Sequence, residues 1–125
     1  TASCMKTALN TPASRELTVT GTVFDLQSKD AISGIKIEMA SFARKDKGRT
    51  NPLMSVESVS GPDGYFSVTM PTRNNTDFYA IIAVDVDGEE NGEYKTGGID
   101  AIEWDGRMNL IPGQDIFLQP SHATL

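Results

Sequence analysis

The densest group of potential metal ligands in this sequence of 125 residues follows an apolar run that ends near residue 86. Asp85, Asp87 and Glu89 are spaced two residues apart, which places side chains of an extended chain on one face. Calcium is bound by several carboxylate and carbonyl oxygens, so these residues predict a calcium site. Counted from Asp85, Gly88 is the fourth residue of the acidic segment, whereas an EF-hand loop needs glycine at the sixth position. A solvated acidic turn is therefore the alternative interpretation.

Nucleophilic catalysis has few candidate residues, because the sequence contains one histidine, His122, and one cysteine, Cys4. A serine or cysteine nucleophile with a histidine base would have to use His122. This histidine follows Pro120 near the end of the sequence, where a tail is the simpler interpretation. No carboxylic acid stands out as the raised-pKa partner of a second carboxylate. We therefore expect a non-enzymatic protein with no catalytic residues and no cofactor other than the calcium considered above.

Three small residues, Thr1, Ala2 and Ser3, precede Cys4. Small residues before a cysteine are what a lipoprotein signal peptidase recognises, and the cysteine then carries acyl chains. This interpretation predicts lipidation of Cys4, a membrane as partner through the lipid anchor, and a place in the cell envelope facing the periplasm or the outer membrane. A free cysteine in a flexible tail is the alternative.

The overall charge argues against nucleic acid as a partner. Formal net charge is −6 at pH 7, with 17 acidic and 11 basic residues. A nucleic-acid-binding protein needs a positive surface to meet the phosphates. The basic residues between Arg44 and Arg49 lie in a stretch that also contains glycine and aspartate, which is typical of a solvated loop.

Alternation of apolar and polar residues indicates that β-strands position these groups. In the first strand, Leu17, Val19 and Val23 alternate with threonines, and Gly21 among them indicates a bulge or a close neighbour. A second strand follows, in which the apolar Ile35, Ile37 and Met39 alternate with Lys36, Glu38 and Ala40. The segment Gly61-Pro62-Asp63-Gly64 predicts a tight turn, and the strand after it is predicted to bury three residues, Phe66, Val68 and Met70.

The most apolar strand spans residues 78–86, and apolar residues on both of its faces predict a central place in its sheet. We predict that its inward face consists of Phe78, Ala80, Ile82, Val84 and Val86. No segment shows a sustained helical period. About seven short strands with frequent turns predict an all-β sandwich over residues 15–120, between a flexible N-terminal tether at 1–14 and a C-terminal tail at 121–125.

Aromatic residues on the rim of a sandwich can bind sugars or peptides, although they more often fill the core. The residues considered for such a surface are Trp104, Tyr94, Tyr79 and Tyr65. Trp104 and Tyr94 are the two that we name as candidate binding residues.

Three segments of the sequence resemble the carboxypeptidase regulatory-like domain. They are the strand Val19–Asp25, the turn and strand at Ile32–Ile35, and the turn and strand at Ser60–Phe66. Ser60-Gly61 stands where that family usually has Thr-Asp. The resemblance implies a seven-stranded, Greek-key β-sandwich of the prealbumin-like (transthyretin-like) class, a fold that serves many unrelated functions.

The acidic segment Ala83–Tyr94 resembles a narrower group, the Bacteroidetes lipoproteins encoded beside radical SAM proteins. This resemblance implies an exported lipoprotein, acting as a binding or structural module of the cell envelope, whose partner is an envelope protein or a glycan. One alternative that it implies is a substrate or accessory of a radical SAM modifying system, with Asp85–Tyr94 as the modified segment. A carbohydrate-binding protein is the other alternative.

Overall fold

The computed structural model describes residues 16–43, 46, 48, 50–72, 77–86, 93–102 and 109–121. The described chain forms eight β-strands: β1 (Glu16–Asp25), β2 (Ile35–Ala43), β3 (Met54–Val59), β4 (Tyr65–Pro71), β5 (Asp77–Asp85), β6 (Gly97–Ile102), β7 (Leu110–Ile111) and β8 (Ile116–Leu118). Within the same ranges, no helix is long and apolar enough to cross a bilayer. The predicted tether at 1–14 lies outside the described residues.

The strands form two sheets that pack face to face. Sheet I has the order β4-β1-β7, with β8 also paired to β1, and sheet II has the order β3-β2-β5-β6. The chain changes sheet after β1, β3, β4 and β6, which is a Greek-key path. The all-β sandwich expected from the sequence is therefore confirmed.

The strand count is eight rather than the predicted seven because the last strand is divided. Strands β7 and β8 both run parallel to β1, beside Thr18 and Val19 and then beside residues 23–25. Residues 112–115 separate them, and the Gln114 N–H still donates to the Thr20 carbonyl oxygen at 2.9 Å. The two strands are thus the halves of one edge strand that is interrupted opposite the middle of β1.

Gly21 faces this interruption. A Cβ atom built on Gly21 would lie 2.1 Å from the Gln114 carbonyl oxygen and 2.5 Å from its carbonyl carbon. The close neighbour predicted for this mid-strand glycine is therefore the backbone of Gln114. Only a residue without a side chain lets the two segments approach this closely.

The core faces of β1, β2 and β4 are the predicted ones. The side chains of Leu17, Val19 and Val23 are fully buried, as are those of the inward-facing residues Ile35, Ile37, Met39, Phe66, Val68 and Met70. The turn before β4 is also confirmed, because the Gly64 N–H donates to the Gly61 carbonyl oxygen at 2.8 Å and Gly64 has a φ of 78°. This left-handed conformation favours glycine.

The predicted inward face of β5 is wrong, because the opposite face enters the core. Tyr79, Ile81 and Ala83 are 1%, 2% and 0% exposed, whereas Ile82 is 45% exposed and Val86 is 60% exposed. The register places Ile81 beside the buried Met39 of β2, which fixes the orientation. The alternation of β5 could not reveal this, since both faces are apolar.

The outer face of β5 is apolar for a separate reason. Phe78 and Ala80 pack there against Phe42 and Ala40 of β2, and the rings of Phe42 and Phe78 stack with their centroids 5.4 Å apart. The predicted central position of β5 is confirmed, because β2 and β6 pair with its two edges.

Candidate functional site

Two phenylalanines from neighbouring strands stack on the outer face of sheet I. Phe24 of β1 and Phe117 of β8 are direct partners in the parallel register. Their ring centroids lie 5.2 Å apart with an interplanar angle of 22°. The residues that flank them in sequence, Val23, Ile116 and Leu118, are buried in the core. Because side chains alternate along a strand, both rings must lie on the side that faces away from the core.

The loop after β1 completes a shallow groove beside these rings. Leu26 and Lys29 line it together with Phe24 and Phe117, and its volume is about 440 Å³. We call these four residues the aromatic platform. Leu26 is 43% exposed and Phe117 is 46% exposed, and exposed apolar side chains that cluster in this way are typical of binding surfaces.

Asp25 fixes the shape of the loop that carries Leu26 and Lys29. Its Oδ1 accepts hydrogen bonds from the backbone N–H groups of Gln27, at 2.7 Å, and Ser28, at 3.0 Å. Its own N–H donates to the Asp30 carbonyl oxygen at 2.8 Å, and its carbonyl oxygen accepts from the Lys29 N–H at 2.8 Å. The loop is therefore closed at its base and braced from within, which holds the two platform residues in place.

Lys29 has an unusual backbone for its residue type. Its φ is 67°, in the left-handed region that glycine adopts most easily. Its Nζ donates to the Leu26 carbonyl oxygen and lies 5.4 Å from the centroid of the Phe117 ring. An ammonium group at this distance from an aromatic ring makes a favourable cation–π contact. The platform thus combines apolar walls with one positive charge at its rim.

Tyr94 connects the platform loop to two other segments. Its hydroxyl donates to Asp25 Oδ2 at 2.9 Å, and its backbone N–H donates to Asp85 Oδ2 at 3.0 Å. It also forms a β-bridge with Pro120, just beyond β8. One side chain and its own backbone therefore tie together the ends of β1, β5 and β8.

The same contacts shift two pKa values in opposite directions. Hydrogen bonds from the Ser28 N–H, the Tyr94 hydroxyl and the Gln27 N–H, with the positive charge of Lys29, outweigh burial and hold the pKa of Asp25 below its usual value. Burial, together with the hydrogen bond to Asp25 and the negative charge there, raises the pKa of Tyr94 to about 12. The native state thus favours a charged Asp25 and a neutral Tyr94.

The stability of the protein should therefore depend on pH at both extremes. The Tyr94 contribution is complete below the ordinary tyrosine pKa of about 10 and is lost as pH rises through about 12. The Asp25 contribution is present above its ordinary pKa of 3.8 and is lost as pH falls through the lowered value. In an alkaline absorbance titration of the phenolate, we expect Tyr94→Phe to remove the ionisation step near about 12.

Tyr65→Phe is the matched control, because Tyr65 is 50% exposed on β4. This variant should retain the ionisation step that Tyr94→Phe removes. Two results would contradict the assignment of this ionisation step to Tyr94. Either both variants keep the step, or neither the parent nor Tyr65→Phe shows it.

Of the sequence-predicted site residues, the described part of the chain contains two, Asp85 and Tyr94, and brings them into contact. Asp85 ends β5, and one of its carboxylate oxygens accepts the Tyr94 N–H. Asp87, Glu89, Trp104, Cys4 and His122 lie outside the described residues. Among the residues that are described, no group of three or more His, Cys, Asp or Glu side chains is arranged to hold a metal ion. The calcium site stays a prediction.

The three tyrosines singled out from the sequence have different positions. Tyr79 is 1% exposed in the core, so it is not a surface residue. Tyr94 is half-buried in the contacts with Asp25 and Asp85. Tyr65 is exposed on the outer face of sheet I, beside Thr22 of β1.

Phe24 and Phe117 were missed as candidate binding residues, although the sequence contains a signal for both. Phe24 has the same parity in β1 as the outward-facing threonines, because it directly follows the inward-facing Val23. Phe117 stands between two aliphatic residues that the alternation directs inward. Their contact could not be predicted, because it depends on the parallel pairing of β1 and β8.

Comparisons with known proteins identify the fold and no family. No protein-family model and no curated protein sequence matches this chain. The crystal structure of the major plantain pollen allergen Pla l 1 is similar, with a TM-score of 0.54 and 11% identity over 88% of this chain and 98% of that chain. The C-terminal domain of the shaft pilin SpaA from Lactobacillus rhamnosus GG has a TM-score of 0.46 and 13% identity, over 85% of this chain and 98% of that chain. The allergen likeness shows a shared β-sandwich.

Proposed function

We propose that this protein is an exported, lipid-anchored and non-catalytic binding module of the cell envelope, and that the aromatic platform is its contact surface. The observation that carries the proposal is the exposure of Leu26 and Phe117 beside the stacked Phe24. Covering such apolar surface is favourable by about 25 cal/mol per Å². A partner that fills the groove would gain this free energy and could place an anionic group beside Lys29.

The position of the platform fits a domain that is anchored through its N-terminal end. Strand β1 begins at Glu16 and has ten residues, so its two ends are about 30 Å apart. The chain from Cys4 enters the sandwich at Glu16. Phe24 lies near the other end of β1. A lipid on Cys4 would therefore be connected, through the residues between Cys4 and Glu16, to the end of β1 opposite the platform.

The family resemblance is part of the same proposal. Each of its three segments has the secondary structure that the resemblance implies. Val19–Asp25 lies in β1, Ile32–Ile35 leads into β2, and Ser60–Phe66 forms the turn into β4. This placement supports a carboxypeptidase regulatory-like domain, and the acidic segment Ala83–Tyr94 is the part of the sequence that supports the Bacteroidetes lipoprotein type. The acidic segment Ala83–Tyr94 begins at the end of β5. If the protein is a substrate of a radical SAM modifying system, that system would have to reach the chain there.

A carbohydrate ligand is the second candidate for the platform. Tyr65 favours it, because this ring is 50% exposed on the same outer face and its residue pairs with Thr22, two positions before Phe24 in β1. Aromatic rings beside hydroxyl groups suit the mixed apolar and polar faces of a sugar.

One experiment tests the anchor and the platform separately. Full-length protein is expressed in its native host as the parent, as Cys4→Ala and as Phe117→Ser. We expect Cys4→Ala to move the protein from the membrane to the soluble fraction. Phe117→Ser should stay in the membrane fraction. Combined with Cys4→Ala, so that no lipid contributes to binding, it should bind isolated, protein-containing envelopes at least about tenfold more weakly than Cys4→Ala alone, because it loses an apolar contact at the centre of the surface.

Val86→Ser is the matched control, since Val86 is an exposed apolar residue outside the platform, at 60% exposure. Combined with Cys4→Ala, it should bind envelopes like Cys4→Ala alone. Equal binding by Phe117→Ser and Val86→Ser would reject the platform, and a Cys4→Ala variant that stays with the membrane would reject the anchor. Digesting the glycans of the envelopes, or their proteins, distinguishes the two classes of partner.

A further inference from the structure

Strand β3 is an exposed edge of sheet II. It has six residues, and within the described chain it pairs with β2 and no other strand. Ser55, Glu57 and Val59 alternate along it and are all exposed. Among the described residues, the free side of β3 therefore has no strand partner.

The hydrogen-bond alternation shows which backbone groups lie on that side. The N–H of Ser60, next after β3, donates to the Ile35 carbonyl oxygen at 2.9 Å, so in this register the even-numbered residues bond to β2. In an antiparallel pair, alternate residues direct both of their backbone groups away from the partner. The N–H and C=O groups of Ser55, Glu57 and Val59 thus point outward.

Apolar side chains accompany this unpaired backbone. Leu53, Met54 and Val59 are 42%, 43% and 59% exposed. Natural edge strands are usually protected by lysine, proline or a bulge, and β3 contains neither a lysine nor a proline. Its one charged residue, Glu57, lies 3.8 Å from Lys36 of β2 and is therefore partly compensated.

We propose that β3 pairs antiparallel with β3 of a second copy of this chain, with Val56 facing the partner's Val56 at the two-fold axis. The two strands can form hydrogen bonds only in registers that place residues with outward-directed backbone N–H and C=O groups opposite one another. Two such registers have their two-fold axis near the middle of β3. The register centred on Glu57 places two carboxylates directly opposite each other, which is unfavourable. The register centred on Val56 places Glu57 opposite the partner's Ser55.

The favoured register also makes the exposed apolar residues complementary. Val59 then lies near the partner's exposed Leu53 and Met54, and symmetry repeats the contact on the other side of the axis. This self-complementarity is the reason for choosing a second copy over an unrelated strand. Sheet II becomes continuous across the dimer, held by about four new backbone hydrogen bonds.

Sedimentation velocity of the purified full chain tests the association. Two short strands make a small interface, so we expect a weak, concentration-dependent dimer. Val59→Lys should weaken dimerisation at least about tenfold, because it places an ammonium group against the partner's Leu53. Ile82→Lys is the matched control: Ile82 is 45% exposed on the outer face of the same sheet, away from the edge. It should dimerise like the parent.

Disulfide trapping in a Cys4→Ser background tests the register. The Val56 Cα atoms should be about 4.5 Å apart across the axis, within disulfide reach. Val56→Cys should therefore cross-link, and Glu57→Cys should do so much less. Preferential linking at 57 would overturn the register. Two results would overturn the proposal that β3 pairs with a second copy of this chain. One is that the parent protein stays monomeric at concentrations up to 1 mM, and the other is that it binds an extended peptide but does not bind itself.

Discussion

Gly21→Ala is expected to destabilise the protein by about 3 kcal/mol. The added methyl group would lie 2.1 Å from the Gln114 carbonyl oxygen, a distance that real Cβ atoms do not show. The atom in the way belongs to the backbone, so it cannot move aside as a flexible side chain could. Relief requires residues 112–115 to shift away from β1, which loosens β7 and β8 together. Urea denaturation followed by circular dichroism measures the effect.

Gly61→Ala is the control for the loss of a glycine. A Cβ there would meet Asp63 Oδ1 at 3.6 Å and the Tyr65 carbonyl oxygen at 3.8 Å, which are ordinary contacts. Its free energy of unfolding should change by no more than about 0.5 kcal/mol. Equal, small effects of the two substitutions would show that the interrupted strand does not press against Gly21.

Ile81→Ala should cost about 3 kcal/mol, and Ile82→Ala should cost about 0.5 kcal/mol. The two residues are neighbours of the same type in β5, but Ile81 is 2% exposed in the core and Ile82 is 45% exposed on the outer face. Removing the side chain of Ile81 leaves a cavity beside Met39, whereas solvent fills the space left by Ile82. Denaturation curves of the two variants compare them directly.

This pair also decides the orientation of β5. The period-two interpretation of the sequence assigns Ile82 to the core, and it predicts the reverse order of the two effects. A larger loss for Ile82→Ala would contradict the register in which Ile81 lies beside Met39. The comparison needs no assumption about function.

The parts of the fold that could be predicted from the sequence are those with one apolar face. Strand β1 has threonines on one side and aliphatic residues on the other, so its burial follows from alternation. Strand β5 gives no such signal, because Phe78 and Ala80 are apolar and pack outside the core against β2. Strand β7 has two residues, Leu110 and Ile111, too few for any period to show.

The candidate site was harder to predict than the fold. The aromatic platform joins residues 24–29 to Phe117, and their proximity comes from parallel pairing between the first and last strands. Sequence reasoning instead selected aromatic residues by type and placed Tyr79 among them, although it is buried. The bond between Tyr94 and Asp25 spans 69 residues and has no local signal.

The pairing of β1 with β7 and β8 has a consequence for how the protein matures. The Thr22 N–H bonds to the carboxylate of Asp115, which lies 93 residues further along the chain. Sheet I therefore cannot be completed on the ribosome or behind a translocation pore until the residues of β7 and β8 have emerged. Contacts this distant in sequence also slow folding, because a long loop must close first. A nascent chain of this protein should thus remain unfolded enough to pass through a membrane pore until β8 has been synthesised.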